Sequence, residues 1–195
     1  MSKLAPPTTA AAPPAAPPAP AYGAAAMVDL EDKVNWANCE ALNKTSQSSL
    51  QNVLKQGLRD QETLLLESDA DEQLLLRVAF KSRVKLHSIC VSGPGDGRAP
   101  KALALFVNRP NLDFGDTESM QATQELELSS DQLGQRLDLK FVSFQAVDHL
   151  TVFVRTNQGD AESSALSNLQ IWGAQVHTTN MGDFKRVAGE AGESD

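Results

Sequence analysis

The stretch Leu74-Leu75-Leu76-Arg77-Val78-Ala79-Phe80-Lys81-Ser82-Arg83-Val84-Lys85-Leu86-His87-Ser88-Ile89 decides the fold class. Leu74, Leu76, Val78 and Phe80 recur at period two, with Leu75, Arg77 and Ala79 on the other side. Val84, Leu86 and Ser88 then alternate with Lys85, His87 and Ile89. A period of two sends successive side chains to opposite faces of a strand, whereas a helix would repeat its apolar groups about every 3.6 residues. Working outward, Leu103, Leu105 and Val107 form another such set, and Leu126 and Leu128 alternate with Glu125 and Glu127. Leu137, Leu139 and Phe141 stand against Asp138, Lys140 and Val142, and Leu150, Val152 and Val154 against Thr151, Phe153 and Arg155. Residues 169–176 make a last strand.

Turn signals separate these spans: Ser92-Gly93-Pro94-Gly95-Asp96-Gly97, Asn108-Arg109-Pro110-Asn111 and Asn157-Gln158-Gly159-Asp160. One helix is expected over 48–58, where Leu50, Val53, Leu54 and Leu58 share a face and Gly57 weakens the end. Seven or eight short strands with almost no helix mean an all-β fold, a single β-sandwich of which the jelly roll is the best-fitting version.

The ends are different. Residues 1–26 hold seven of the ten prolines and Lys3 as their only charge, so a disordered, partly polyproline-like leader is expected there. It lacks acids, as organelle transit peptides do, but it also lacks their arginines and has a single serine, so a plain disordered arm is the leading reading with import as the alternative. No h-region marks a secretory signal. The folded unit should span 28–187, with a flexible acidic tail over 188–195.

The whole chain has 195 residues, 25 acidic and 17 basic, for a net charge of −8. That balance argues against nucleic acid as a partner, since such binders show a basic face. No run approaches the ~20 apolar residues that span a bilayer, so no membrane partner is expected. Cys39 and Cys90 are too few for a disulfide framework, which points to a reducing compartment: the cytoplasm, with the nucleus as a second location.

The residues that do chemistry are scattered. His87, His149 and His177 lie far apart and form no metal-binding spacing. Neither cysteine belongs to a CxxC pair, and Cys90 sits in the apolar run Ile89-Cys90-Val91, the setting of an inert thiol. Gly93-Pro94-Gly95-Asp96-Gly97 lacks the Gly-Lys-Ser/Thr of a phosphate loop and reads as a turn. Trp172, in the run Leu169-Gln170-Ile171-Trp172, reads as core rather than a sugar platform, and Asn43-Lys44-Thr45 as a chance sequon. No catalytic residue, cofactor or metal is assigned.

The one clear cluster is acidic: Glu67-Ser68-Asp69-Ala70-Asp71-Glu72. An EF-hand is excluded, because the sixth position counted from Asp69 is Leu74 and not Gly. A loop calcium site, an anionic patch for a basic partner and a plain solvated loop all remain open.

Several segments resemble the PITH domain, the proteasome-interacting module at the C-terminus of thioredoxin-like proteins. They include residues 66–75, Val84-Lys85-Leu86-His87-Ser88-Ile89, Ala99-Pro100-Lys101, Phe106-Val107-Asn108 and Asp113-Phe114. The likeness continues through Phe144-Gln145-Ala146-Val147, Val152-Phe153-Val154, Asn157-Gln158-Gly159 and Thr179-Asn180-Met181-Gly182-Asp183-Phe184-Lys185-Arg186-Val187. The resemblance implies a galactose-binding-like jelly roll, a non-catalytic interaction role and association with the proteasome regulatory particle. The thioredoxin domain and its dithiol are not in this sequence. Ala41 stands where fused members often carry a second cysteine after Cys39, so no inherited redox role is expected.

A monomer is expected, with contact through two segments. One is the acidic loop with Glu67, Asp69, Asp71 and Glu72; the other is the tail from Asp183. There Phe184 and Val187 offer apolar anchors, Lys185 and Arg186 basic contacts, and Glu190, Glu193 and Asp195 an anionic end suited to a basic or metal-containing groove. The alternatives are that Phe184 and Val187 only pin the chain to the sandwich, and, for function, that the jelly roll binds a glycan or calcium.

Overall fold

The computed structural model describes residues 27–59, 61 and 63–176. The expected leader over 1–26, His177 and the tail residues Asp183, Phe184, Lys185, Arg186 and Asp195 lie outside the described residues. Ten strands are described: β1 (Val28–Asp29), β2 (Glu40–Leu42), β3 (Leu66–Glu67), β4 (Leu74–Ser92), β5 (Pro100–Val107), β6 (Gln124–Glu127), β7 (Arg136–Asp138), β8 (Val147–Asn157), β9 (Ala165–Leu166) and β10 (Asn168–Gln175). Two short helices, α1 (Leu50–Leu54) and α2 (Phe114–Ser119), interrupt them.

All ladders are antiparallel, and β4 serves two layers. Its first half, Leu74 to Ala79, pairs with β8, and Leu75 to Arg77 also pair with β2. Its second half pairs with β10 and, at Ser88 to Cys90, with β7. One layer therefore runs β6-β5-β8-β4-β2 and the other β7-β4-β10-β1, while β3 and β9 form a separate two-stranded ladder. This is the expected sandwich, with a difference in β4. Where two strands are read from the sequence, one 19-residue strand bends. The bend is an irregularity in pairing: Ala79 faces His149 and Val84 faces Val147, so residues 80–83 oppose Asp148 alone.

The alternation from Leu74 to Phe80 holds, with Leu74, Leu76, Val78 and Phe80 in the main core beside Leu103, Leu105, Leu150, Val152 and Val154. Leu75 faces the other way, into a smaller core with Phe106, Leu112 and Phe153. Phe114, Met120 and Ala122, on and just after α2, cover that outer face. Helix α2 is not expected from apolar spacing. It is started by a capping box, in which Asp113 accepts from the Asp116 N–H while Asp116 accepts from the Asp113 N–H.

Past Leu86 the expected face changes. Ile89 and Val91 join the core, because Leu86 pairs with Gly173 and Ser88 with Trp172, leaving His87 as an extra residue in a bulge. Opposite it, a Cβ built on Gly173 would stand 2.0 Å from the Lys85 carbonyl oxygen. Only glycine permits that approach. Trp172 is accordingly not core: it is half-buried on the outer face, with the Arg136 guanidinium 3.8 Å above its ring. β7 also ends sooner than the alternation suggests, and Phe141–Phe144 form a 3-10 turn that buries Phe144 and leaves Val142 88% exposed.

Candidate interaction surface

The acidic loop leaves β3, whose Leu66 and Glu67 pair with Leu166 and Ala165 of β9. Leu66 and Ser68 are buried, which anchors the start of the loop below its charges. From there one side chain organises it. Asn43 sits at φ 59, a left-handed conformation that asparagine tolerates better than most residues. Its Nδ2 donates to Asp71 Oδ1 at 2.7 Å and to the Gln73 carbonyl at 2.6 Å, and its Oδ1 accepts from the Ala70 N–H at 3.0 Å. The Asn43 carbonyl accepts from the Asp69 N–H at 3.0 Å. Asp71 Oδ1 also accepts from the Gln73 N–H.

Ser164 fixes the other side. Its hydroxyl donates to the Glu72 carbonyl at 2.5 Å, and its N–H donates to the buried Ser68 hydroxyl at 2.8 Å. The loop thus needs no partner to become ordered. Its carboxylates have separate fates. Asp69 and Asp71 are exposed and Glu72 is half-buried. Glu67 is ion-paired to Arg98 at 2.7 Å, and Arg98 holds Asp96 with its other nitrogen at 2.8 Å. Hydrogen bonding to Arg98 keeps the Asp96 carboxyl below its ordinary value.

Next to the loop lies an open concavity of about 530 Å³, lined by hydroxyl and amide groups of Thr45, Gln47, Ser48, Asn52 and Thr63, with Glu67 and Asp69 at its edge. Among the described residues no aromatic ring lines it. Trp36 borders a different cleft of about 230 Å³, with Glu40, Lys44 and Gln51. Among the described residues no three His, Cys, Asp or Glu side chains converge as a metal-ligand set. The oxygen of Asp71 nearest the loop backbone is already taken by Asn43 and Gln73.

The thiols are held protonated. Desolvation raises the Cys39 thiol, whose sulfur donates to the Asn35 carbonyl at 3.2 Å and accepts from the Ala79 N–H at 3.3 Å. Desolvation likewise raises Cys90. Arg136 and Arg59 act in the opposite direction on Cys90, but desolvation outweighs them, so neither thiol is poised as the thiolate that a catalytic cysteine needs. His87 packs beside Ser88, 3.8 Å from Asp138, and His149 borders a surface concavity with Arg77 and Cys39.

Of the predicted contact residues, the structure brings Glu67, Asp69, Asp71 and Glu72 together on one ordered loop; those from Asp183 onward lie outside the described residues. Sequence reading misses Asn43, Arg98 and Ser164, which hold that loop in place. The only signal for Asn43 is a turn-favouring asparagine ahead of Lys44, read there as part of a chance sequon.

A family model described as the PITH domain matches residues 20–189. Thioredoxin-like protein 1 of Schizosaccharomyces pombe is 36% identical over 141 residues, covering 69% of this chain and 48% of that protein. PITH domain-containing protein 1 of Homo sapiens is 33% identical over 141 residues, covering 71% of this chain and 64% of that one. The chain thus matches about half to just under two thirds of the length of these relatives. Among solved structures, the family 32 CBM from C. perfringens NanJ, determined in complex with galactose, superposes with a TM-score of 0.56 at 8% identity. It covers 75% of this chain and 99% of that domain. The C-terminal domain of a chitobiase from Bacteroides fragilis gives 0.50 at 12% identity, covering 75% of this chain and all of that one. At such identities the likeness speaks for the sandwich and for nothing bound to it.

Proposed function

The chain belongs to the PITH domain family, and from that membership we propose that it is a non-catalytic interaction module that docks on the proteasome regulatory particle. The observation that carries this reading is the family match across residues 20–189, which takes in the whole described sandwich. Proteasome association is what the family resemblance implies. The structure supports a non-catalytic role through the way its reactive groups are used. Both thiols are held protonated by burial, Arg77 is tied to Glu40 and the Leu112 carbonyl, and Arg98 is tied to Glu67 and Asp96.

Docking uses the acidic loop, with Asp69, Asp71 and Glu72 as its available charges. A rigid loop pays little ordering entropy on binding, so its carboxylates add specificity and on-rate for a basic surface. The tail residues Asp183, Phe184, Lys185, Arg186 and Asp195 supply the second contact. The reading carries a monomer acting in the cytoplasm, with the nucleus as a second compartment.

A pull-down with the full chain tests it. Recovery of regulatory-particle subunits that falls when Asp69 and Asp71 are changed to lysine is the expected result. Calcium-dependent retention on a sugar column, with no such subunits recovered, would replace this reading with that of a ligand-binding jelly roll.

A further inference from the structure

The two outer faces of the sandwich are finished differently. That of β5, β8 and the first half of β4 is covered by Leu112, Phe114 and Met120. On the β7-β4-β10 layer, Ile89, Val91, Leu137, Leu169 and Ile171 point into the core, so Ser88, Cys90, Arg136, Gln170 and Trp172 point away from it. Ser88 and Cys90 are small and buried. What lies across this strip is Trp172 from one flanking strand and Arg136 from the other, the guanidinium carbon 3.8 Å from the ring centroid. Trp172 is fixed in turn by its Nε1–H, which donates to Gln170 Oε1 at 3.3 Å.

The charge of Arg136 is also uncommitted. Arg59, Arg77, Arg83, Arg98 and Arg155 each hold a carboxylate. Arg136 and Arg109 hold none among the described residues, although acids outnumber bases 25 to 17, and of the two it is Arg136 that rests on an aromatic ring. One face of its guanidinium rests on the indole, which leaves the N–H edges for a ligand. Exposed Lys85 projects from the same face, three residues along β4 from Ser88 and hence about 10 Å away. Two acids share this face: Asp29, opposite Trp172 on β1, is held by Arg59, and Asp138 is 3.8 Å from His87.

We propose that the Arg136–Trp172 stack is a docking point for an acidic segment of a partner protein, in which a glutamate or aspartate is flanked by aliphatic residues. The carboxylate takes the guanidinium edge, a bidentate match that lysine could not give. The aliphatic neighbour lies on the exposed part of the indole. Stacking holds the arginine in place before the partner arrives, so less side-chain freedom is lost on binding, and tryptophan and arginine are both enriched among the residues that carry most interface binding energy. The inference rests on the preceding reading only in taking protein as the class of ligand.

The test titrates the 15N-labelled full chain with a blocked hexapeptide of alternating Glu and Leu, and with its Gln/Leu counterpart. Saturable shifts of the Trp172 indole N–H and the Arg136 Nε–H are expected with the Glu peptide. Binding should be at least about ten-fold weaker for the Gln peptide and for Arg136→Gln, and within about two-fold of wild type for Arg109→Gln. Arg136 is exposed, so its variant keeps the fold, which the dispersion of the same spectrum verifies. Equal affinity for the two peptides, unchanged binding by Arg136→Gln, or static Trp172 and Arg136 signals would overturn the proposal. The probe is a synthetic peptide, so the outcome is independent of whether the regulatory particle binds.

Discussion

Asn43 and Asp71, 28 residues apart in sequence, are joined by a 2.7 Å hydrogen bond from Nδ2 to Oδ1. Together with the bonds to Gln73 and Ala70, it makes one amide side chain the frame of the acidic loop. Asn43→Ala removes that frame and leaves a non-glycine residue at φ 59, so the variant should lose about 1–3 kcal/mol. Chemical denaturation measures the loss, and faster amide exchange confined to residues 69–73 would show that it is local.

The close approach at the β4 bulge leads to a second expectation. Gly173→Ala drives a methyl carbon to 2.0 Å from the Lys85 carbonyl oxygen, a backbone atom that cannot swing aside. The variant should lose about 3 kcal/mol or more, or fail to fold. A thermal melt within 1–2 °C of wild type, measured alongside, would mean that the β4–β10 pairing is looser than described.

Burial makes both thiols poor nucleophiles near neutral pH. Iodoacetamide at pH 7.5 should modify Cys39 and Cys90 at least about ten-fold more slowly in the native chain than in denaturant, as followed by intact mass. The linkage has a definite sign. Raised native values keep the thiols protonated while the unfolded chain ionises, so their contribution is intact below the ordinary thiol value of 9.0 and is lost as the pH climbs above it.

Asp96 works in the opposite direction. Its carboxyl is held below the ordinary aspartate value by hydrogen bonding to Arg98, so the contribution to the β4–β5 turn is present above that value and lost as the pH falls through the lower native one. An NMR titration of the Asp96 side chain should show a depressed midpoint, and Arg98→Gln should return it upward. The link is exposed to solvent, so global stability should change little.

Which parts of this were legible in the sequence follows from which forces act locally. Leu74, Leu76, Val78 and Phe80, and likewise Leu150, Val152 and Val154, announce their faces because period-two burial is written in the chain itself. Helix α1 is legible as well, though it ends at Leu54, ahead of the left-handed Gly57. The bulge at His87 is not legible, since it exists only in the pairing with β10, and every residue beyond it changes face. Trp172 reads as core because it closes the apolar run from Leu169, although the alternation of Leu169 and Ile171 points it outward.

Helix α2 was there to be read in Asp113-Phe114-Gly115-Asp116, but its capping box carries no apolar stripe to draw the eye. The loop carboxylates stand out as a run of acids. Their partners Asn43, Arg98 and Ser164 come from elsewhere in the chain, and only folding brings them together.

A further expectation concerns the tail. Deleting residues 188–195 should leave the melting temperature unchanged, because no sizeable apolar side chain is lost, while weakening capture of the regulatory particle. Unchanged capture by the truncated chain would restrict the contact to the sandwich.

The central claim is most directly tested by titrating the fluorescently labelled full chain with purified proteasome regulatory particle and following anisotropy. The account predicts saturable binding with a dissociation constant of about 10 μM or tighter, weakened by lysine substitution at Asp69 and Asp71. A flat anisotropy signal up to about 50 μM particle, from a chain whose melt shows it folded, would contradict it.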